Sequence, residues 1–181
     1  LGTTMGLKTY RGSINDVLDR FYKAVQAQNP DFIVRLTSDC PLIDAHLLDA
    51  MIDNAKQKEL DYYSNILQER YPDGQDIEVF TFKALETAWE KAKLNSDREH
   101  VTPFIRLNSS YQGGELFTSE NHNLKEDYSQ VRLTVDEPKD FEVIELIIRN
   151  LGLEKGWKAY ADYYLENEDM KKINGSIVRN E

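Results

Sequence analysis

One pattern, VRLTxDxP, occurs twice in the chain: Val34-Arg35-Leu36-Thr37-Ser38-Asp39-Cys40-Pro41 and Val131-Arg132-Leu133-Thr134-Val135-Asp136-Glu137-Pro138. Each copy runs from a short, mostly apolar stretch into an aspartate followed two residues later by proline. The apolar part reads as a strand covered on both faces, and proline after the aspartate suits the first turn of a helix. In an open α/β sheet, ligands bind at the carboxyl ends of the strands, where both aspartates are expected. Two readings follow for Asp39 and Asp136. They cap the helices that come after them, a preferred use of aspartate, or they share a hard cation such as Mg²⁺, which is held by one or two carboxylates together with substrate phosphates.

The rest of the chain alternates in the same way. Lys8 to Tyr10 predicts a brief strand, and Ser13 with Asp16 resembles a capping box opening a helix that carries Val17, Leu18, Phe21, Tyr22 and Val25. That helix should stop near Asn29-Pro30. Phe32 to Thr37 predicts a strand, and a helix from about Asp44 buries Leu47, Leu48, Met51, Ile52 and Ala55. Asp61 to Asn65 and Asp76 to Phe80 predict two more strands, and Phe82 to Ala92 an amphipathic helix. Pro103 falls too deep for one uninterrupted helix after Ser96, so a turn at Asp97 to Val101 and a fresh start near Thr102-Pro103 are expected, with His100 at the joint. A small strand at Glu115 to Thr118, a strand at Val131 to Val135 and a helix from Pro138 carrying Phe141, Ile144, Ile147 and Ile148 complete the pattern. The alternation predicts an α/β sandwich with a mostly parallel sheet.

At 181 residues and 40% hydrophobic content the chain suits one domain with an apolar core. Its formal charge of -10 argues against a general nucleic-acid binder, because such a surface repels a phosphate backbone. Cys40 is the single cysteine, which excludes an intramolecular disulfide and a cysteine-based structural zinc site and suits a reducing cytoplasm. The densest apolar stretch, Phe141 to Leu153, is broken by Glu142, Glu145 and Arg149, so no membrane insertion is expected. His46, His100 and His122 lack zinc-hydrolase spacing, no phosphate-cradling glycine loop occurs, and Cys40 reads as a buried thiol. Trp157, Tyr160, Tyr163 and Tyr164 read as packing for a terminal helix or a subunit contact.

Two further segments could carry chemistry. Tyr71-Pro72-Asp73-Gly74-Gln75-Asp76-Ile77-Glu78 sets three acids and a ring around a tight turn, suited either to gripping ligand hydroxyls or to an ordinary surface hairpin. Arg98-Glu99-His100 offers positive charge for an anionic ligand, or simply a capped helix start.

Taken in order, these segments resemble the cytidylyltransferase-like family that includes the spore coat polysaccharide biosynthesis protein F group. The resemblance is carried by Arg11-Gly12-Ser13 with Asp16 to Arg20, Arg35 through Asp39-Cys40-Pro41 to Asp44, Tyr71-Pro72-Asp73-Gly74 with Asp76 and Glu78, Arg98 to Pro103, Thr134 to Pro138 with Asp140 to Glu142, and Ile177 to Glu181. More distantly the chain looks like the synthetases that activate sugar acids with CTP. The resemblance implies a nucleotide-diphospho-sugar transferase (Rossmann-like) fold, a three-layer sandwich with a mixed, mostly parallel sheet. It also implies attack of a sugar or sugar-acid oxygen on CTP with release of pyrophosphate, for surface-polysaccharide biosynthesis in the cytoplasm. On it, Asp39 and Asp136 are catalytic and hold Mg²⁺, Ser13 and Arg20 lie toward the nucleotide, and Tyr71, Asp73, Asp76, Glu78, Arg98 and His100 line the sugar side. A homodimer is expected on the resemblance alone. Members of the family begin with a strand and a glycine- and arginine-containing loop that this chain does not match. It therefore reads as a single domain over 1–181, truncated at the N-terminus and slightly at the C-terminus. The alternative is a noncatalytic nucleotide-sugar-binding or assembly module. A metal-dependent glycosyltransferase is less favoured, because no D-x-D sequence occurs.

Overall fold

The first helix begins later than the capping pattern predicts. Ser13 Oγ does accept the backbone N–H of Asp16 at 3.1 Å, as a capping box requires. The cap itself is Asp16, whose carboxylate accepts the N–H of Asp19 at 2.9 Å and opens α1 (Val17–Val25). A charged acceptor gains more than a hydroxyl at a helix N-terminus, so the aspartate takes the position. A computed structural model describes residues 2–179, which places Asn180 and Glu181 of the resemblance outside the described residues.

After α1 follow β1 (Phe32–Arg35), α2 (Ala45–Gln57), β2 (Tyr62–Ser64), β3 (Glu78–Thr81), α3 (Phe82–Lys91), α4 (Asn95–His100), α5 (Pro103–Leu107), β4 (Ser119–Asn121), α6 (Pro138–Leu151), α7 (Trp157–Glu166) and α8 (Glu168–Asn174). The strands form a sheet in the order β1-β3-β2-β4. Tyr62 N–H donates to Thr118 O at 3.0 Å and His122 N–H to Ser64 O at 2.7 Å, the stepping of a parallel pair. Between β2 and β3 the bonds join Asn65 to Ile77 and Thr81 to Asp61, an antiparallel register. Phe82 N–H bonds to Asp31 O at one end of β1 and β3, and Arg35 meets Glu78 at the other, so this pair is antiparallel too. Three strands thus run one way and β3 runs against them. The α/β class and the mixed sheet are as predicted, with one of the three pairings parallel rather than most of them, because β3 inserts between β1 and β2.

The described residues fall into two compact units. The first takes those up to Ile33, Glu59–Tyr62 and Phe80–Glu120, and the second takes Val34–Lys58, Tyr63–Val79 and those from Asn121 on. In the first, Leu18, Leu85, Ala88 and Ile105 are buried. Tyr22 stacks between Phe82 and Trp89, with ring centroids 5.8 and 4.2 Å away. The predicted joint at His100 is present: α4 closes at Val101, whose φ of 74° and ψ of -55° form a γ-turn, and α5 starts afresh with Pro103 in its first turn.

In the second unit, Asp44 caps α2, accepting the N–H groups of His46 and Leu47 at 2.8 and 3.1 Å. Leu47, Met51 and Ala55 are buried as the spacing predicts. Val131, Leu133, Val143, Ile144, Ile147, Tyr160 and Tyr164 build one apolar core. Phe141 departs from expectation and is 60% exposed, because it directly follows Asp140, whose buried carboxylate takes the inward-facing direction.

Three predicted strands are not formed as expected. Lys8 to Tyr10 is irregular, and the strand expected at Glu115 to Thr118 forms instead at Ser119–Asn121. Val131 to Val135 is extended but makes only a single parallel bridge, Arg132 to Asp73. Its neighbour there is the turn around Gly74, which cannot offer a ladder. Gly74 has a φ of 99°, and a Cβ on it would sit 2.6 Å from the Leu133 carbonyl carbon, so the close approach needs glycine.

Candidate active site

The two copies of the repeated pattern meet in the second unit. The backbone carbonyl of Asp39 accepts the N–H of Val135 at 2.9 Å and faces the Thr134 hydroxyl at 3.4 Å. Asp136 is among the side chains that act on the Asp39 carboxyl, so the two aspartates are neighbours. Neither aspartate caps a helix. Asp44 caps α2, and Glu137 is the N-cap residue of α6. The capping reading of the pair is thereby removed, and two neighbouring aspartates are left with no helix to cap. A cation between two ionised carboxylates relieves their repulsion. Burial works against the charged form of Asp39, but bonds from Thr37, its own backbone and Cys40, together with Asp136, carry it below the usual carboxylate range.

Asp136 is also gripped from behind. Arg132, the arginine of the second copy, is buried and donates Nη2 to Asp136 Oδ2 at 2.8 Å and Nη1 to Asp73 Oδ2 at 2.7 Å. It donates Nε and Nη2 to the two oxygens of Asp140, both at 2.9 Å. Asp140 is fully buried and further accepts the N–H groups of Asp136 and Glu137 at 3.1 and 3.0 Å and the Asn174 amide at 3.0 Å. Burial opposes its charge, yet Arg132 above all, with these donors, holds its carboxyl below the ordinary range. Bonding to Asp140 raises the Arg132 pKa, so the guanidinium stays charged.

The arginine of the first copy has a matching place. Arg35 Nη1 donates to Glu78 Oε1 at 2.7 Å, and Glu78 is almost fully buried. The turn before it is not the surface hairpin that one reading allowed: Tyr71, Pro72, Asp73, Gly74, Gln75 and Ile77 are all buried. Gln75 holds the turn in place, donating to Leu42 O at 2.7 Å and accepting from Asp44 N at 3.0 Å. Asp73 is pushed up by burial, which outweighs Arg179 and Arg132. Asp76 is pushed up to about 6 by burial, opposed by Arg179, whose Nη2 donates to it at 2.6 Å. The Tyr71 ring stands 5.0 Å from Trp157 and 5.9 Å from His122, and burial lifts its hydroxyl to about 12. Cys40 is a buried thiol, also pushed up to about 12 by burial, which suits packing rather than nucleophilic attack.

Four of the residues named from sequence belong to the first unit. Arg20 Nη1 donates to Ser13 O at 3.2 Å, which brings these two together. Arg98 donates to Asp16 at 2.7 Å and to the carbonyls of Trp89 and Ala92 at 3.1 Å, so it ties the end of α3 to the start of α1. His100 is exposed at the joint. Asp39, Asp136, Tyr71, Asp73, Asp76 and Glu78 all belong to the second unit.

Sequence reasoning gave no site role to Arg35, Arg132, Asp140, Asn174 or Arg179. A signal for the first two was present. An arginine inside an apolar strand pattern must find a carboxylate, because an unpaired charge is not buried. Among the described residues no group of three or more His, Cys, Asp or Glu is arranged to hold a metal, so the Asp39 and Asp136 pair would need water or substrate oxygens to complete a shell.

The sequence model of the cytidylyltransferase family matches residues 4–172, nearly the whole chain. The chain belongs to the cytidylyltransferase family. It is 36% identical over 184 residues to an uncharacterised protein of Methanocaldococcus jannaschii, a match that covers 98% of this chain and 71% of that protein. It is 32% identical over 154 residues to the spore coat polysaccharide biosynthesis protein SpsF of Bacillus subtilis, covering 81% of this chain and 59% of SpsF. Its fold matches the solved structure of a cytidylyltransferase from Leptospira borgpetersenii serovar Hardjo-bovis with a TM-score of 0.84 and 31% identity, over 99% of this chain and 74% of that one. The nucleotidyltransferase class and the Rossmann-like fold that the resemblance implied are those of this cytidylyltransferase family. Among the described residues no helix is long and apolar enough to cross a membrane.

Proposed function

We propose that this cytidylyltransferase-family chain transfers a cytidylyl group from CTP to a sugar or sugar acid with the help of Mg²⁺, in the synthesis of a surface polysaccharide. The observation that carries the reading is that the two copies of the repeated pattern are bonded together, Val135 N–H to the Asp39 carbonyl, which makes neighbours of Asp39 and Asp136, two aspartates that cap nothing. SpsF, a relative by sequence, supplies the polysaccharide context. An all-oxygen pair fits a hard cation, and Asp39 and Asp136 are the residues that would hold it. A cation held by Asp39 and Asp136 beside the triphosphate would supply charge neutralisation at the transferring phosphoryl group. The hydroxyl oxygen of the sugar forms a bond to the α-phosphorus, the bond from that phosphorus to the bridging oxygen breaks, pyrophosphate leaves and the hydroxyl proton passes to solvent.

The chain's own residues bind and orient. Within the second unit, Asp39 and Asp136 gather the phosphate end, and Tyr71, Asp73, Asp76 and Glu78 serve the sugar. One observation favours the alternative of a noncatalytic nucleotide-sugar-binding module. Asp73, Asp76 and Glu78 are each already engaged by an arginine, which suits recognition better than proton transfer. The test is pyrophosphate release with CTP, Mg²⁺ and a panel of sugars and sugar acids, alongside CTP binding. Release that falls by at least 100-fold in both Asp39→Ala and Asp136→Ala supports the enzyme, since electrostatic groups of this kind carry about that much rate. CTP binding without any release supports the module, and full-strength CTP binding with Mg²⁺ in both variants removes the metal assignment.

A further inference from the structure

The structure assigns to Arg132 the task of a positioning residue: it holds the Asp136 carboxylate in place beside the Asp39 segment, with Asp140 as its lock. This inference rests on the reading of Asp39 and Asp136 as the cation-holding pair. Its support is a single buried chain of bonds across the second unit. Tyr164 Oη donates to Asn174 Oδ1 at 2.9 Å, and the Asn174 amide donates to Asp140 at 3.0 Å and faces the Arg132 carbonyl at 3.3 Å. Asp140 then takes the guanidinium with both oxygens, and the guanidinium reaches Asp136. Tyr164, Asn174, Asp140 and Arg132 are each at most 4% exposed, whereas the Asp136 side chain at the end of the chain is 31% exposed. Arginine is the side chain that suits this position, because its flat fork serves Asp73, Asp136 and Asp140 at once.

Without Arg132, Asp136 would face Asp39, Asp73 and Asp140 with no cation among its bonded partners and would turn toward solvent. A lysine keeps the charge but not the fork. The pair therefore depends on a residue that grips Asp136 from behind, in the way that outer-shell partners fix metal-ligating side chains.

The test titrates the intact protein with Mn²⁺ alone, followed by the electron paramagnetic resonance signal of the free ion, in parallel with thermal melting. Arg132→Lys and Asp140→Asn are each expected to weaken Mn²⁺ binding by about tenfold or more, the usual range for outer-shell partners. A structural role alone would lower the melting temperature and leave the Mn²⁺ affinity of the folded protein unchanged, and that result overturns the inference. Asn174→Ser is the milder variant. It removes one donor from Asp140 and is expected to weaken Mn²⁺ binding by a smaller factor, so it decides the matter if the other two do not fold. Asp39→Ala separates the two levels: loss of Mn²⁺ binding there with none in the Arg132 and Asp140 variants refutes the positioning role only, whereas undiminished binding in Asp39→Ala refutes the pair itself.

Discussion

Asp76 shows how far one side chain's surroundings can set its behaviour. It lies in an acidic turn with Asp73 and Glu78 nearby and Arg179 against it, and burial pushes it up to about 6. An aspartate in an unfolded chain titrates near 4, so on acidification the native state takes up this proton first. The group then adds stability at low pH and loses that contribution as pH rises from about 4 through about 6. Asp140 has the opposite sign: its lowered pKa contributes stability above the unfolded value, lost only at still lower pH. Asp76→Asn removes the first effect. Urea denaturation at pH 4.5 and 7.5 should show the variant gaining stability relative to the unaltered protein at the higher pH, and an equal difference at both values would contradict the assignment.

At the scale of elements, one carboxylate serves two helices. Asp44 Oδ1 caps α2, while its Oδ2 accepts the N–H of Trp157, the first residue of α7, at 2.8 Å. Gln75 fixes the same corner by bonding the Asp44 backbone. Losing an ordinary cap costs about 1 kcal/mol, and here a second buried N–H is also left without its acceptor, so Asp44→Ala should cost about 2–3 kcal/mol in chemical denaturation. A loss under 1 kcal/mol would mean that the corner is held by packing alone. Helix starts were legible where the cap is local, as at Asp44 and Pro138. They were misjudged at Ser13, because Ser13 and Asp16 each accept an N–H three residues on and sequence does not rank which of the two opens the helix.

For the whole molecule, the function proposed for this cytidylyltransferase-family chain predicts coupled binding. A ligand that binds only the native state stabilises it by mass action, by about 2.7 kcal/mol at one hundred times its dissociation constant. CTP with Mg²⁺ should therefore raise the melting temperature by several degrees, and CTP with a chelator should raise it much less. Equal shifts in both would show nucleotide binding that does not pass through Asp39 and Asp136.

The sequence by itself determined the α/β class, the order of most elements and the family. Those depend on apolar periodicity, on prolines and on ordered motifs, all of which act within a few residues or within one element. It also singled out Asp39 and Asp136 through the repeated pattern, but left open whether they cap helices. Only the tertiary structure decided that, because the real caps, Asp44 and Glu137, are chosen by local backbone geometry, while the meeting of the two aspartates needs Val135 bonded to Asp39 across 96 residues of chain. The same holds for the second copy of the pattern. Its strand-like residues become a single bridge because their neighbour in space is the Gly74 turn, and its arginine becomes the centre of a buried network because Asp73, Asp140 and Asn174 are brought to it from distant segments. Charge pairing inside a protein is settled by which groups burial leaves without water, and that is a property of the assembled core rather than of any stretch of sequence.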